Sequence, residues 1–296
     1  MQTMPNSSPA PLRVRLAQAS DSDAIFTMVQ NIWGGRDYVP RVWGRWLADT
    51  SGPLLVGTID ERPVALAKIS ALGAGEDWFH GLRVDPAQRG HGYARVMLAH
   101  CVALAQQRGT RTLRYLTDEQ NKPMHHLADA LGFELLYTPA WHTAAARSGA
   151  SQAQALPASQ LGRLLAELEH SPLLALTRGL YAYEWHNLEL NSARLQAHLA
   201  HGDVRALPGE PAWAIVTTRE RTGWELAHIE GAPDAVERLC YDLRGLPGAI
   251  SSQATLLTLL PPTAPMLGAM QAAGFGPAED PMRVYELRFT GIDVHV

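Results

Sequence analysis

The chain has 296 residues, 46% of them hydrophobic and 18% charged, with a net charge of −4. That balance excludes a disordered chain and a general nucleic-acid surface, and the length predicts two domains, each able to bury a core. Two cysteines in no metal or redox spacing, no apolar run of bilayer length and no basic-then-apolar leader predict a cytoplasmic protein with no metal and no membrane partner.

In chain order, residues 1–11 form a polar, Pro-rich lead that is predicted to fray. Leu12 to Leu16 alternates as a strand. Ser20-Asp21-Ser22-Asp23 opens a helix toward Asn31, with acidic residues at the positive end of its dipole. The loop Trp33-Gly34-Gly35-Arg36-Asp37-Tyr38-Val39-Pro40 follows, then a helix over Val42 to Leu47. Leu54 to Ile59 and Pro63 to Leu72 are strands joined by a tight turn at Asp60-Glu61-Arg62. Trp78 to Val84 is the next strand and Ala94 to Gln107 a helix. Thr112 to Leu116 is a strand, Pro123 to Leu131 a helix and Phe133 to Tyr137 a strand. The order β, α, α, β, β, β, α, β, α, β is a mixed α/β unit.

The segment Arg89-Gly90-His91-Gly92-Tyr93-Ala94 links the Trp78 strand to its helix. A glycine turn at a helix start gathers unpaired N–H groups where the helix dipole is positive, and such a nest holds phosphate oxygens. Gly90 and Gly92 admit positive φ and close approach of a ligand, and Arg89 adds a positive charge. The third glycine of a dinucleotide fingerprint is missing, as is the Gly-Lys-Ser/Thr of a nucleotide-hydrolase phosphate loop.

Residues 141–156, dominated by Ala, Ser, Gln and Gly, are predicted to be a linker between a domain over 12–140 and another over 157–296. The second half repeats the first. Pro123-Met124 before Gly132-Phe133 recurs as Pro265-Met266 before Gly274-Phe275, each pair following a short apolar strand, and the strand Trp224 to Glu230 stands in for Trp78 to Val84. The glycine nest does not recur. Asp234 and Glu237 occupy that region and would repel phosphate, so the second domain is predicted to be degenerate.

Arg89, Gly92 and Ala94 read R-x-x-G-x-A, and with the element order this resembles the GNAT superfamily of N-acetyltransferases. The loop at 34–40, Trp46-Leu47 and Gly81-Leu82-Arg83-Val84 are similar to those of vertebrate histidine N-acetyltransferases, and the similarity is expected to run on through Glu184-Trp185 to the strand at Trp224. The resemblance implies two tandem GNAT-like domains and acetyl-CoA as co-substrate. The coenzyme would be held by Leu82, Arg83, Val84, Arg89, Gly90, His91, Gly92, Tyr93, Ala94 and Asn121. It implies acetylation of a small amine such as a free amino acid by a monomer or homodimer.

Acetyl transfer to an amine needs a neutral nucleophile and a donor for the developing oxyanion. The resemblance places the donor at a backbone N–H of Leu82 or Arg83. It puts the general base at His80, where a Glu is usual and where a structural histidine is the competing reading. Glu76 is the second candidate base. Ala128 stands where many relatives carry an acid Tyr. Asp37 and Tyr38 are candidates for holding the ammonium and Arg36 for the carboxylate of an acceptor, with a plain turn as the alternative. A protein or peptide acetyltransferase and a non-catalytic acyl-CoA sensor remain as alternatives.

Overall fold

The computed structural model describes residues 10–73, 75–219, 223–248 and 254–289, so the predicted fraying of the lead falls mostly outside the described residues. Two compact units emerge. Among the described residues the first gathers 10–115, 123–134 and 286–289, and the second 116–122 and 135–285.

The first half of the chain runs β1 (Arg13–Leu16), α1 (Ser22–Val29), α2 (Val39–Ala48), β2 (Leu54–Ile59), β3 (Arg62–Gly73) and β4 (Glu76–Val84). It continues with α3 (Tyr93–Gln107), β5 (Thr112–Asp118), α4 (Lys122–Ala130), β6 (Glu134–Tyr137) and β7 (Ala140–Ala145). Val39, Trp43 and Trp46 recur at helical spacing on α2. They bury one face of it against α1 and the strand residues Leu54, Val56 and Leu66. Helix α3 packs on β3 and β4 and buries Met97, Leu98, Cys101 and Ala105. Burial pushes the Cys101 thiol up to about 12, so it is inert. The β2–β3 turn is the predicted one, with Asp60 and Glu61 both at positive φ, the geometry that suits a two-residue hairpin.

The second half runs β8 (Gln154–Ala155), α5 (Leu161–Leu168), α6 (Pro172–Leu176), β9 (Leu180–Tyr183), β10 (His186–Glu189), α7 (Ser192–His201), β11 (Val204–Ala206) and β12 (Ala212–Arg219). It ends with β13 (Gly223–Gly231), α8 (Pro233–Leu243), α9 (Gly245–Gly248), β14 (Thr255–Leu260), α10 (Leu267–Ala272), β15 (Gly276–Pro277) and β16 (Met282–Arg288). Among the described residues no helix is long and apolar enough to cross a membrane.

The two seven-stranded sheets have orders β1-β2-β3-β4-β5-β16-β6 and β8-β11-β12-β13-β14-β7-β15. They match position by position, which bears out the internal repeat. In the sixth position each sheet takes a strand from the other half of the sequence, β16 in the first and β7 in the second. The contiguous domains expected at 12–140 and 157–296 are therefore interleaved, because strand pairing is non-local and leaves no mark in spacing. The linker expected at 141–156 is also corrected. It supplies β7 and β8, and its middle closes on one carboxylate. Arg147 Nη2 donates to Asp242 at 2.9 Å, and the amides of Gln152 and Ala153 donate to the same side chain at 3.0 Å. Small residues that read as loose coil here allow the backbone to wrap that carboxylate.

The segment after α2 is pinned by a buried lysine. Lys68 Nζ donates to Asp49 Oδ2 at 2.5 Å and to the carbonyls of Gly52 and Ile69 at 2.7 Å. Burial pushes the Lys68 pKa down, against the pull of Asp49. Burial would raise the Asp49 carboxyl, but hydrogen bonds from Lys68 and Ser51 outweigh it and hold it at about 2, below its ordinary 3.8. A carboxylate depressed in the folded state contributes stability that is present above its ordinary pKa and lost as pH falls through the folded value. The urea midpoint should therefore drop between pH 4 and pH 2, and Asp49→Asn should flatten that limb while lowering the midpoint at neutral pH.

Candidate functional site

Strand β4 is bulged and splayed. Lys68 faces His80 and Leu66 faces Arg83, so β3 advances two residues while β4 advances three. The extra residue lies at Gly81-Leu82, and Gly81 takes φ +70. A Cβ on Gly81 would stand 2.7 Å from Trp46 Cη2, so glycine is required twice over. On its other side β4 pairs in parallel with β5 at Glu76↔Thr112, Asp77↔Leu113 and Trp78↔Arg114, and the register ends there. From Phe79 onward that edge of β4 is left without a β5 partner.

The bulge sorts the side chains. Residues three apart in a regular strand point to opposite faces. Here His80 and Arg83 both reach the side covered by α2. His80 lies edge-on to Trp46 at 5.0 Å, and its Nε2 shares a 2.9 Å hydrogen bond with the Ser70 hydroxyl. Tyr38 lies edge-on to Trp46 at 5.8 Å and stacks with Trp33 at 6.2 Å. The Arg83 guanidinium sits 4.4 Å over the Trp33 ring and 5.3 Å from that of Tyr38. Burial pushes the Tyr38 phenol up, against the pull of Arg83. Trp33, His80, Tyr38, Trp46 and Arg83 thus form one connected cluster.

Asp37 is corrected. Its carboxylate, expected to face an ammonium, is buried and accepts Arg83 Nε at 2.7 Å and the amide of Val39 at 2.9 Å, closing the start of α2. Arg83 is likewise held by its side chain, with Nη1 donating to the Leu82 carbonyl at 3.0 Å. Arg36 is exposed and donates to the Trp33 carbonyl at 3.4 Å. The two residues without a role in the sequence reading are Trp33 and Ser70. Ser70 could have been found by pairing the predicted strands Pro63 to Leu72 and Trp78 to Val84 as antiparallel neighbours, which puts it beside the His80 end of the second.

Beyond Val84 the chain turns through the predicted nest. Gly90 and Gly92 take φ +82 and +80, and a Cβ at either would meet no heavy atom within 4 Å. The cradle is therefore open above both glycines. Gly92 caps α3, whose first amides, those of Tyr93 and Ala94, have no acceptor within the helix. Arg89 and His91 are exposed at the rim. The Tyr93 side chain is corrected. It is buried and donates to the Ala10 carbonyl at 2.8 Å, so only its backbone faces the cradle.

Glu76, the second candidate base, sits in a buried ion cluster. It is 1% exposed, and Arg114 Nη1 donates to it at 2.5 Å while Arg114 Nε donates to Glu286 at 2.5 Å. A carboxylate held in such a triad has its bonding capacity engaged by the protein itself. Asn121 belongs to the second unit, where its Nδ2 donates to Thr117 Oγ1 at 2.9 Å and steadies the turn into α4. Ala128 is fully buried on α4. Arg114→Met should leave Glu76 buried without its cation, and Glu286 with Arg288 alone, and cost about 3–5 kcal/mol in urea denaturation. Glu76→Gln should lower stability but leave the pH profile of any activity unchanged.

The second sheet repeats the bulge and the splay. Ile215 faces His228 and Val216 faces Leu226, and β13 meets β14 at Gly223↔Thr255, Trp224↔Leu256 and Glu225↔Leu257, where the register ends. There β9 packs against both β13 and β14, and the amide of Glu184 donates to Glu225 at 3.0 Å. The helix that follows opens on Pro233 and Asp234 rather than on glycines.

Among the described residues no group of three or more His, Cys, Asp or Glu side chains could hold a metal. Residues 23–133 match the family model described as acetyltransferase (GNAT) family. A histidine N-acetyltransferase of Oreochromis niloticus is 34% identical over 119 residues, which cover 39% of this chain and 35% of that protein. The likeness, expected over most of the chain, spans well under half of it and about a third of that relative. A GCN5-related N-acetyltransferase from Sphaerobacter thermophilus superposes with TM-score 0.65 at 11% identity, covering 97% of this chain and 99% of its own. Another from Kribbella flavida superposes with TM-score 0.52 at 14% identity, over 94% and 72%. At these identities the structural likeness bears on the fold alone. The glycine motif and the bulged strand both lie inside the segment, 23–133, that is similar to the GNAT acetyltransferase model.

Proposed function

We propose that the first unit transfers the acetyl group of acetyl-CoA to the amino group of a small molecule, a free amino acid foremost, by direct attack in a ternary complex. One observation carries this reading: a bulged strand, parted from its neighbour, runs directly into an open glycine cradle at a helix start. The parted edge of Leu82, Arg83 and Val84 offers backbone groups to an amide-bearing arm such as pantetheine. The cradle at 89–94 offers amides and Arg89 to a pyrophosphate. The family of the matched segment and the name of its relative support the same chemistry.

His80 is the proposed base. Ser70 fixes its ring and Trp46 walls it, so it can take the proton that the amine loses as its nitrogen bonds the thioester carbon. A backbone N–H of Leu82 or Arg83 is the proposed oxyanion donor. The carbon–sulfur bond then breaks and the thiolate leaves. No tyrosine on α4 stands to protonate it, because Ala128 occupies the usual position. The second unit is proposed to bind no acetyl-CoA, since its parted strands are covered by β9 and its helix start carries Pro233 and Asp234.

Calorimetry should therefore find one acetyl-CoA per chain, and Gly92→Glu, which adds a negative charge at φ +80, should abolish it. Unchanged affinity in that variant, or a stoichiometry of two, would refute the assignment. With a panel of amino acids and amines as acceptors, His80→Ala should lower kcat/KM by about 10²–10⁴-fold with acetyl-CoA affinity intact. A variant with full activity and the wild-type pH profile removes His80 from the mechanism.

A further inference from the structure

We infer that Arg83 is the acceptor-selecting residue, gripping the carboxylate of an α-amino acid whose amine faces His80. This rests on the acetyltransferase reading above and goes beyond it by naming the residue that selects the acceptor. A guanidinium carries five N–H donors. Nε and one Nη2 hydrogen face Asp37, at 2.7 and 3.4 Å, and one Nη1 hydrogen faces the Leu82 carbonyl at 3.0 Å. Tyr38 also hydrogen-bonds the guanidinium, and the Nη hydrogens not taken up by Asp37, Leu82 or Tyr38 are what the end of the fork offers a carboxylate. Asp37 holds the fork from its side and Trp33 and Tyr38 hold its plane, so little ordering remains to be done on binding.

The spacing suits one small molecule. Because of the bulge, His80 and Arg83 stand opposite Lys68 and Leu66, two residues apart on β3. Two strand residues span about 7 Å. The amine and carboxylate of an α-amino acid hang from one carbon, and hydrogen-bond reach at each end closes the remainder. An amine lacking the carboxylate would leave the fork empty. A peptide acceptor modified at its N-terminus would present an amide there instead of a carboxylate. Trp33 is held at φ +50, an uncommon conformation for a bulky residue, and is 58% exposed while covering the guanidinium. It forms the outer wall against which the acceptor side chain would lie.

The test compares each amino acid with its decarboxylated counterpart: L-histidine with histamine, and L-phenylalanine with 2-phenylethylamine. In the wild-type protein the amino acids should be preferred through KM. Since Arg83→Gln alone strands a buried Asp37, the double variant Asp37→Asn/Arg83→Gln removes cation and counter-ion together. It should raise KM for the amino acids about 10- to 100-fold, as loss of a charge-assisted contact predicts, and change KM for the amines less than about threefold. Arg83→Lys, which keeps the charge and loses the fork, should fall between. Turnover of amino acids and amines alike in the wild type, or equal losses for both acceptors in the variants, overturns the inference while the acetyltransferase reading stands. No turnover of any acceptor in the wild type removes both.

Discussion

A side chain at position 81 would have to occupy the space of the Trp46 indole, and it would have to do so at φ +70. The rest of the site follows from the glycine there. It lets β4 take in an extra residue, and the extra residue rotates everything after it by half a pleat. Without the bulge, Arg83 would project to the side where Phe79 meets Tyr115, and the α2 side would present His80 alone. With it, an imidazole and a guanidinium share one face, two ladder positions apart. Trp46 serves both sides of this arrangement, filling the space left by the missing Cβ and presenting its ring to His80 and Tyr38.

The buried charges of the first unit divide by whether any bonding capacity is left over. The three donor bonds of Lys68 go to Asp49, Gly52 and Ile69, and Arg114 is clasped between Glu76 and Glu286. Such groups hold a loop or a strand in place and are poor candidates for chemistry, since a ligand would have to break a desolvated pair. The Arg114 triad reaches from the start of β4 across β5 to β16, so it ties those three strands together at the base of the strand that carries the site. Arg83 differs because its counter-ion engages one edge of a planar fork and leaves another. A residue's exposure matters less in this sorting than the geometry of its partners.

Much of this fold was legible in the sequence, for reasons that can be named. The strands and helices of the first half follow from period-two and helical spacing of apolar residues, and the hairpin at Asp60-Glu61 lies where the turn was expected. The nest was legible because glycines at 90 and 92 have few uses other than positive φ before a helix. What could not be read were contacts across long separations. Asp37 and Arg83 lie 46 residues apart and Glu76 and Arg114 lie 38 apart, and nothing in composition marks either pair. Glu76 therefore looked like a free carboxylate and Asp37 like a ligand. The exchange of β7 and β16 was hidden for the same reason, since each is an ordinary apolar strand whose partner is chosen by the sheet.

The second sheet separates what the fold supplies from what the residues supply. It keeps the strand order, the bulge and the three-position parallel start. In the first sheet those features leave an unpaired strand edge in front of a glycine turn. In the second, β9 lies against the parted strands, and the backbone of Glu184 donates to one carboxylate oxygen of Glu225 there. Buried polar groups on a parted edge must find partners, and the chain provides them from its own hairpin. The turn beyond carries Asp234, whose charge suits the helix dipole and would repel an anion such as the one proposed for the first turn. A bulged and parted backbone is thus used twice, with a site proposed for only one copy, and what distinguishes the copies is a few residues at a helix start and whether a hairpin covers the gap.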